Sequence, residues 1–242
     1  MPPEAAAGLR QARPGFPQAG REESPQGLDA RRNVILAFDT SAAHCAAAVL
    51  AGDRLAGLCD EPMPTGQAER LMPLLEDVLA GAGLAFADVT RIAVGTGPGN
   101  FTGVRIAVAA ARGLALGLGV PAVGVTRLEA LAFGLPRPLA VVEDARRGEV
   151  YVQEMPGGAA RLIAADATCL GPVPLVGSAA GAVAAVTGGA VVQPAMPLVE
   201  AIARLGAVAV PGARPAPFYL RGADAAPPAD PPPVILPDPA VP

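Results

Sequence analysis

The stretch that decides the fold is IAVGTGPGNFTGVRIAVAAARGLALGLG, Ile92–Gly119. Its first four residues are a short apolar run with the pattern of a buried strand. Three glycines within five residues, Gly95, Gly97 and Gly99, then interrupt the run. From about Thr102 to Leu118 the residues are small or apolar except for Arg105 and Arg112, seven apart and so on one helical face. The order strand, glycine-rich turn, helix is the basic step of an α/β layer. A helix apolar nearly all round needs cover on more than one side. Small side chains such as Ala109 and Gly113 allow another helix to come close. One face is therefore expected on the sheet and another on a partner chain.

The glycine loop has the context of a phosphate site, since it follows a strand and opens a helix. Both sequence fingerprints for that use fail. No Lys follows Gly103, as a phosphate loop of the nucleotidases requires, and Asn100 stands where a dinucleotide loop needs its third glycine. The glycines then serve a tight turn with close strand–helix approach, and Thr102 is expected to cap the helix.

Upstream, Val34–Ser41 (VILAFDTS) reads as a buried strand ending in a polar turn. CAAAVL and LAGLC follow as two further strands around Gly52, giving a three-strand meander. In Gln67–Gly81 the residues Leu71, Leu74, Leu75, Val78 and Leu79 form one apolar stripe. Pro73 places the start of regular helix near Arg70. Downstream, PAVGVT is a strand, LEALAFG a short helix, LAVVEDARRGEVYVQEM a hairpin turning at Arg147-Gly148, and VPLVG a strand. Pro197–Gly206 is a helix and FYLR near Phe218 a final strand. No internal sequence repeat is visible. Residues 1–32 and 223–242 are Pro-rich and aperiodic, and are expected to be disordered extensions, with a start codon called upstream of the true one as the alternative for the first.

Composition narrows the function. The 242 residues carry a net charge of −4, so the chain lacks the basic field of a nucleic-acid binder. Three scattered cysteines (Cys45, Cys59, Cys169) make no zinc spacing and point to a reducing cytoplasm. No secretory signal and no membrane span are expected, the apolar helix being short and charged. The single histidine, His44, rules out an HExxH metal site and reads as a local strand-start residue. Asp39, Ser41 and His44 lie too close in sequence for a hydrolytic triad, and no G-x-S-x-G elbow is present. Arg146-Arg147 reads as a solvated hairpin tip.

Taken together, ILAFDTSAAHCAAAVL, AERLMPLLEDVL, IAVGTGPGNFTGVRIAVAAARGLALGLGVPAVGVTRLEALA, DARRGEVY and FYLR resemble the TsaB (YeaZ) family, in the family's order from Val34 to Arg221. The resemblance implies an actin-like ATPase fold of two α/β lobes with mixed sheets flanked by helices. These are placed at residues 33–125 and, smaller, at 126–222. It also implies a paralogue of TsaD, the enzyme that transfers threonylcarbamoyl to adenosine beside the tRNA anticodon. The chain would then be a non-catalytic subunit without cofactor. It would dimerise with TsaD, work with the ATPase TsaE, and meet tRNA only through the complex; some members of the family self-associate through the same surface, which leaves homodimer and monomer both open for the free chain.

The interface is expected on Leu71, Leu75, Val78, Val104, Val108, Ala111, Arg112 and Ala115, so a charge at Val108 or Ala111 should abolish pairing. The alternative is a nucleotide-binding phosphotransferase of the same superfamily, using Asp39, Thr40, Ser41, Gly97 and Gly99. Three positions depart from the family's usual pattern: Gln67 in place of His, Asn100 in place of Ser, and Glu143 where an apolar residue commonly stands.

Overall fold

The computed structural model describes residues 33–166 and 170–222. The two expected terminal extensions and Cys169 lie outside them. Among the described residues, nine strands and five α-helices follow in the order β1 (Val34–Asp39), β2 (His44–Ala51), β3 (Arg54–Pro62), α1 (Gln67–Gly81), β4 (Arg91–Gly95), α2 (Phe101–Leu118), β5 (Ala122–Val125), α3 (Arg127–Ala132), β6 (Leu139–Asp144), β7 (Glu149–Met155), β8 (Arg161–Ala164), β9 (Leu175–Val176), α4 (Ala180–Thr187) and α5 (Leu198–Val208).

Two sheets form, in the orders β3-β2-β1-β4-β5 and β8-β7-β6-β9. In the first, β1 pairs antiparallel with β2 and parallel with β4. In the second, β6 does the same with β7 and β9. The second lobe thus repeats the first in topology without repeating its sequence, and stops one strand short. Both sheets are mixed, as expected.

Alternation along β1 explains the layers. Val34, Leu36 and Phe38 point to one face with Cys45, Ala47 and Val49, where Leu71, Leu74, Leu75, Val78 and Leu79 of α1 and Ala107 and Ala111 of α2 cover them. Ile35 and Ala37 point to the other, with Ala46, Ala48 and Leu50, where α5 covers them through Val199, Ala201, Ile202 and Ala203. The smaller sheet is sandwiched between α3, through Leu128, Leu131 and Ala132, and α4, through Ala180 and Val183.

Four expectations are corrected here. The lobes are not two consecutive segments, because α5 returns to the first sheet; its hydrophobic stripe fits the face that α1 and α2 leave bare. Helix α1 begins at Gln67, three residues before Arg70, and holds Pro73 in its interior. Asn100, not Thr102, caps α2: its side chain accepts hydrogen bonds from the backbone N–H of Thr102 (3.0 Å) and Gly103 (3.4 Å). FYLR is not a strand; Phe218 donates one backbone hydrogen bond to Thr96 O (2.8 Å) and the segment runs on as a strap.

The strap links the lobes. Arg112 Nε donates to Pro215 O (2.6 Å) and Arg105 Nε to the Tyr219 hydroxyl (2.9 Å), both from α2. Farther along, Arg221 donates to Ala145 O (2.9 Å) and Glu149 Oε2 (2.5 Å) in the second lobe. The two arginines that mark the polar side of α2 therefore hold this chain's own C-terminal segment.

Candidate functional site

Two places on the fold bear on function: the cleft between the lobes and the outer face of α1 and α2.

The cleft has a volume of about 780 Å³. Its first-lobe wall is Ser41–Ala43 after β1 and Pro98–Phe101 before α2, and its second-lobe wall is Glu143–Arg147 with Ser178 and Arg221. Of the five residues expected around a nucleotide, only Ser41 and Gly99 line it. Asp39, Thr40 and Gly97 do not, because the turn consumes its own polar groups. The Thr40 hydroxyl donates to Gly103 O (2.7 Å), Ser41 donates to Asp39 from both its hydroxyl (2.9 Å) and its N–H (3.2 Å), and Ser41 O accepts from Asn100 N (2.6 Å). A Cβ on Gly95, Gly99 or Gly103 would collide with the Asp39 carboxylate, Ser41 O and Thr40 O respectively. The glycines are there for close packing of loop on turn, the structural use the failed fingerprints favour.

Asp39 is buried and its pKa is nonetheless lowered. Burial alone would raise it, but the hydrogen bond from His44, the charges of His44 and Arg127, and the Ser41 hydroxyl outweigh that. Arg127, at the start of α3, reaches from Asp39 (Nη1 to Oδ2, 4.0 Å) to Glu143 at the end of β6 (Nε to Oε2, 2.5 Å). The sequence reading missed Arg127. One signal for its partner was present: a glutamate at position 143, where the resemblance has an apolar residue, implies a buried cation to meet it. The hairpin tip is also special, with Arg146 and Arg147 in the left-handed region (φ 62° and 56°). Glu149 N closes the turn on Arg146 O, with positive φ at Arg147 and Gly148 as a tight hairpin turn demands.

The helical face differs from its expected form. Leu71, Leu75, Val78, Val104, Val108 and Ala111 are all buried in this chain's own core, none more than 4% exposed. Ala115 is half-buried against the same core, and Arg112, though exposed, is held by Pro215. The six buried residues face this chain's own sheet, and of the eight only Arg112 and Ala115 keep surface open to a partner. A glutamate at Val108 or Ala111 would disrupt the lobe itself. What α2 shows to solvent includes Ala109, Gly113, Leu116 and Gly117, with Arg105 and Arg112 on the same exposed face, and Leu116 is 83% exposed. Beside it, α1 shows Glu69, Met72, Pro73 and Glu76. At 18 residues α2 also has the length and hydropathy of a membrane span, which the expectation denied; Val104, Ala107, Val108 and Ala111 are used inside the lobe.

Comparison with known proteins agrees with this architecture. The family model for TsaD, tRNA N6-adenosine threonylcarbamoyltransferase, matches residues 65–226. The chain is similar to the tRNA threonylcarbamoyladenosine biosynthesis protein TsaB of Escherichia coli K12, 40% identical over 126 residues, which is 50% of this chain and 54% of that protein. It is similar to TsaB of Bacillus subtilis 168, 37% identical over 48% of this chain and 52% of that protein. The match therefore spans about half the length of these curated relatives. Among solved structures, YeaZ from Pseudomonas aeruginosa is 30% identical with a TM-score of 0.61, covering 72% of this chain and 90% of that one. An uncharacterized protein with similarity to peptidase YEAZ, from Pseudomonas aeruginosa, is 29% identical with a TM-score of 0.64, covering 78% of this chain and all of that one.

Fold and comparisons together define an α/β protein of the actin-like ATPase class, related to the threonylcarbamoyltransferases. Within that class the chain belongs to the TsaB (YeaZ) family.

Proposed function

We propose that this chain is a non-catalytic subunit that pairs with a threonylcarbamoyltransferase of the TsaD type and supports formation of N6-threonylcarbamoyladenosine in tRNA, with TsaE as a further partner. The observation that carries the pairing is the outer stripe of α2. Leu116, 83% exposed and flanked by Ala109, Gly113 and Gly117, is a large apolar side chain set among residues small enough for a second helix to lie close. Met72 on the neighbouring α1 extends the apolar surface. The relatives named for threonylcarbamoyladenosine biosynthesis support the pathway. A sequence with one histidine, itself engaged by two aspartates, supports a subunit that does not carry the metal chemistry. The net charge of −4 supports contact with tRNA through the complex and not through this chain.

The test is the complete modification reaction in a cell-free mixture with and without this chain. Product formation that depends on it, together with no turnover by the chain alone, supports the reading. Undiminished modification without it contradicts the reading. The phosphotransferase alternative is separated by calorimetry: micromolar Mg-ATP binding and turnover by the isolated chain would favour that alternative, against which the internal use of Asp39 and Thr40 weighs.

A further inference from the structure

We infer that Arg127 is a proton-controlled latch: with His44 protonated it is committed to Glu143 of its own, second lobe, and with His44 neutral it swings to Asp39 of the first lobe and gives up that bond.

The argument begins at the histidine. Both ring nitrogens of His44 face carboxylate oxygens, Nε2 at 2.7 Å from Asp39 Oδ2 and Nδ1 at 3.3 Å from Asp60 Oδ1. A neutral imidazole offers one N–H and one lone pair, so it can donate to only one of them. The imidazolium donates to both. The geometry is therefore that of the protonated ring, bridging β1 and β3.

Asp39 is next in line. It is buried, and its countercharge in this arrangement is supplied by His44. Arg127 stands 4.0 Å away, with its Nη1 buried and without a hydrogen-bond acceptor, while Asp39 Oδ1 is likewise buried without a donor. Two opposite charges thus face each other, each with an unused atom. Arg127 is instead committed through Nε to Glu143 Oε2 at 2.5 Å. Glu143 passes the connection on, since its Oε1 accepts the backbone N–H of Ser178 (2.6 Å), just ahead of α4.

Removing the proton from His44 upsets this division. Two buried carboxylates then share one guanidinium, and Asp39 has lost its imidazolium. Moving Nη1 from 4.0 Å to hydrogen-bond distance of Asp39 restores its countercharge, at the expense of the bond to Glu143. Asp60, 44% exposed, can turn its carboxylate to water at little cost. The groups facing the ring are Asp39 from β1, Asp60 from β3 and Arg127 from α3. Burial and Arg127 lower the pKa of His44, but its hydrogen bond to Asp39 and the charges of Asp39 and Asp60 prevail and hold it above 6.5.

The sequence has one histidine, so its ring signals in nuclear magnetic resonance are unambiguous. The full chain, labelled with nitrogen-15, is titrated with acid and base while the His44 ring, the Arg127 Nε–H and the Ser178 amide are followed. The inference expects all three to move with one midpoint. In His44→Gln the Arg127 and Ser178 signals stay still over that range. In Asp60→Asn, a change at a partly exposed position, the three midpoints fall together. A wild-type Ser178 amide that ignores the His44 titration overturns the inference, even if neither variant folds. So does an unchanged Ser178 titration in His44→Gln, or a His44 midpoint that falls alone in Asp60→Asn.

Discussion

In the first lobe, the loop after parallel strand β4 lays Gly99 on the carbonyl of Ser41; in the second, the loop after β9 lays Gly177 on the carbonyl of Val142. Both glycines let the launch of a helix touch the end of the meander's first strand; Gly177 also sits beside the Glu143 carboxylate, as Gly95 does beside that of Asp39, and Arg127 joins the two carboxylates. The lobes differ in what they launch. Helix α2 runs 18 residues under a side-chain cap from Asn100 and leaves an apolar stripe outside. Helix α4 runs 8 residues from Ala179 with no side-chain cap, and exposes only the shorter stripe of Ala182, Ala185 and Val186. The same corner is used in one lobe to build an outward surface and in the other to finish a small layer and wall the cleft. Topology is shared, and function follows from what is added to it.

The comparison can be broken first at Arg127. Arg127→Ala leaves Glu143 buried at the joint without its cation, and a loss of about 3–5 kcal/mol is expected from urea unfolding. If the joint is what couples the lobes, the transition should also broaden. A variant that unfolds like the wild type would show that the lobes do not depend on it. The corners come next. Gly99→Ala and Gly177→Ala should each cost about 1–3 kcal/mol, because each Cβ meets a backbone carbonyl that cannot move away. Equal costs would establish a shared device, and a neutral Gly177→Ala would confine it to the first lobe.

The caps sharpen the contrast further. Asn100→Ala should lose about 1 kcal/mol with the cap of α2. In α4, Gly181 has open space around its Cβ position, and Gly181→Ala should gain up to about 1 kcal/mol in a thermal melt. The pH dependence is the smallest effect. His44, with a raised pKa, contributes stability that is full below 6.5 and is lost as pH rises through its folded value. Asp39, with a lowered pKa, contributes above 3.8 and loses it as pH falls through its folded value. The melting temperature should therefore be highest, as far as these two groups decide it, between pH 3.8 and 6.5. A rise in stability from pH 6 to pH 8 that vanishes in His44→Gln would contradict this assignment.

Much of the first lobe was legible because its signals are local. The alternation in Val34–Asp39, the stripe in α1 and the glycines after β4 each specify an element within a few residues. The second lobe was less legible, since β8 and β9 are only 4 and 2 residues long and α4 is alanine, glycine and valine on all sides. The return of α5 to the first sheet is a long-range choice that no window of sequence contains. The same limit misplaced the interface. Periodicity tells that Val108 and Ala111 share a face, but which face meets the sheet is settled by the neighbours, and the sheet takes the face with the larger branched residues. Arg127 escaped notice because its two partners, Asp39 and Glu143, come from different lobes.

The central claim, that the outer stripe of α2 is the pairing surface, is tested most directly by the mass in solution of this chain mixed with its TsaD-type transferase at micromolar concentration. The wild type should give the mass of the complex. Leu116→Glu should give two separate proteins while melting within about 0.5 kcal/mol of the wild type, as exposed substitutions do. A full complex formed by Leu116→Glu, and again by Ala109→Glu, would contradict the account.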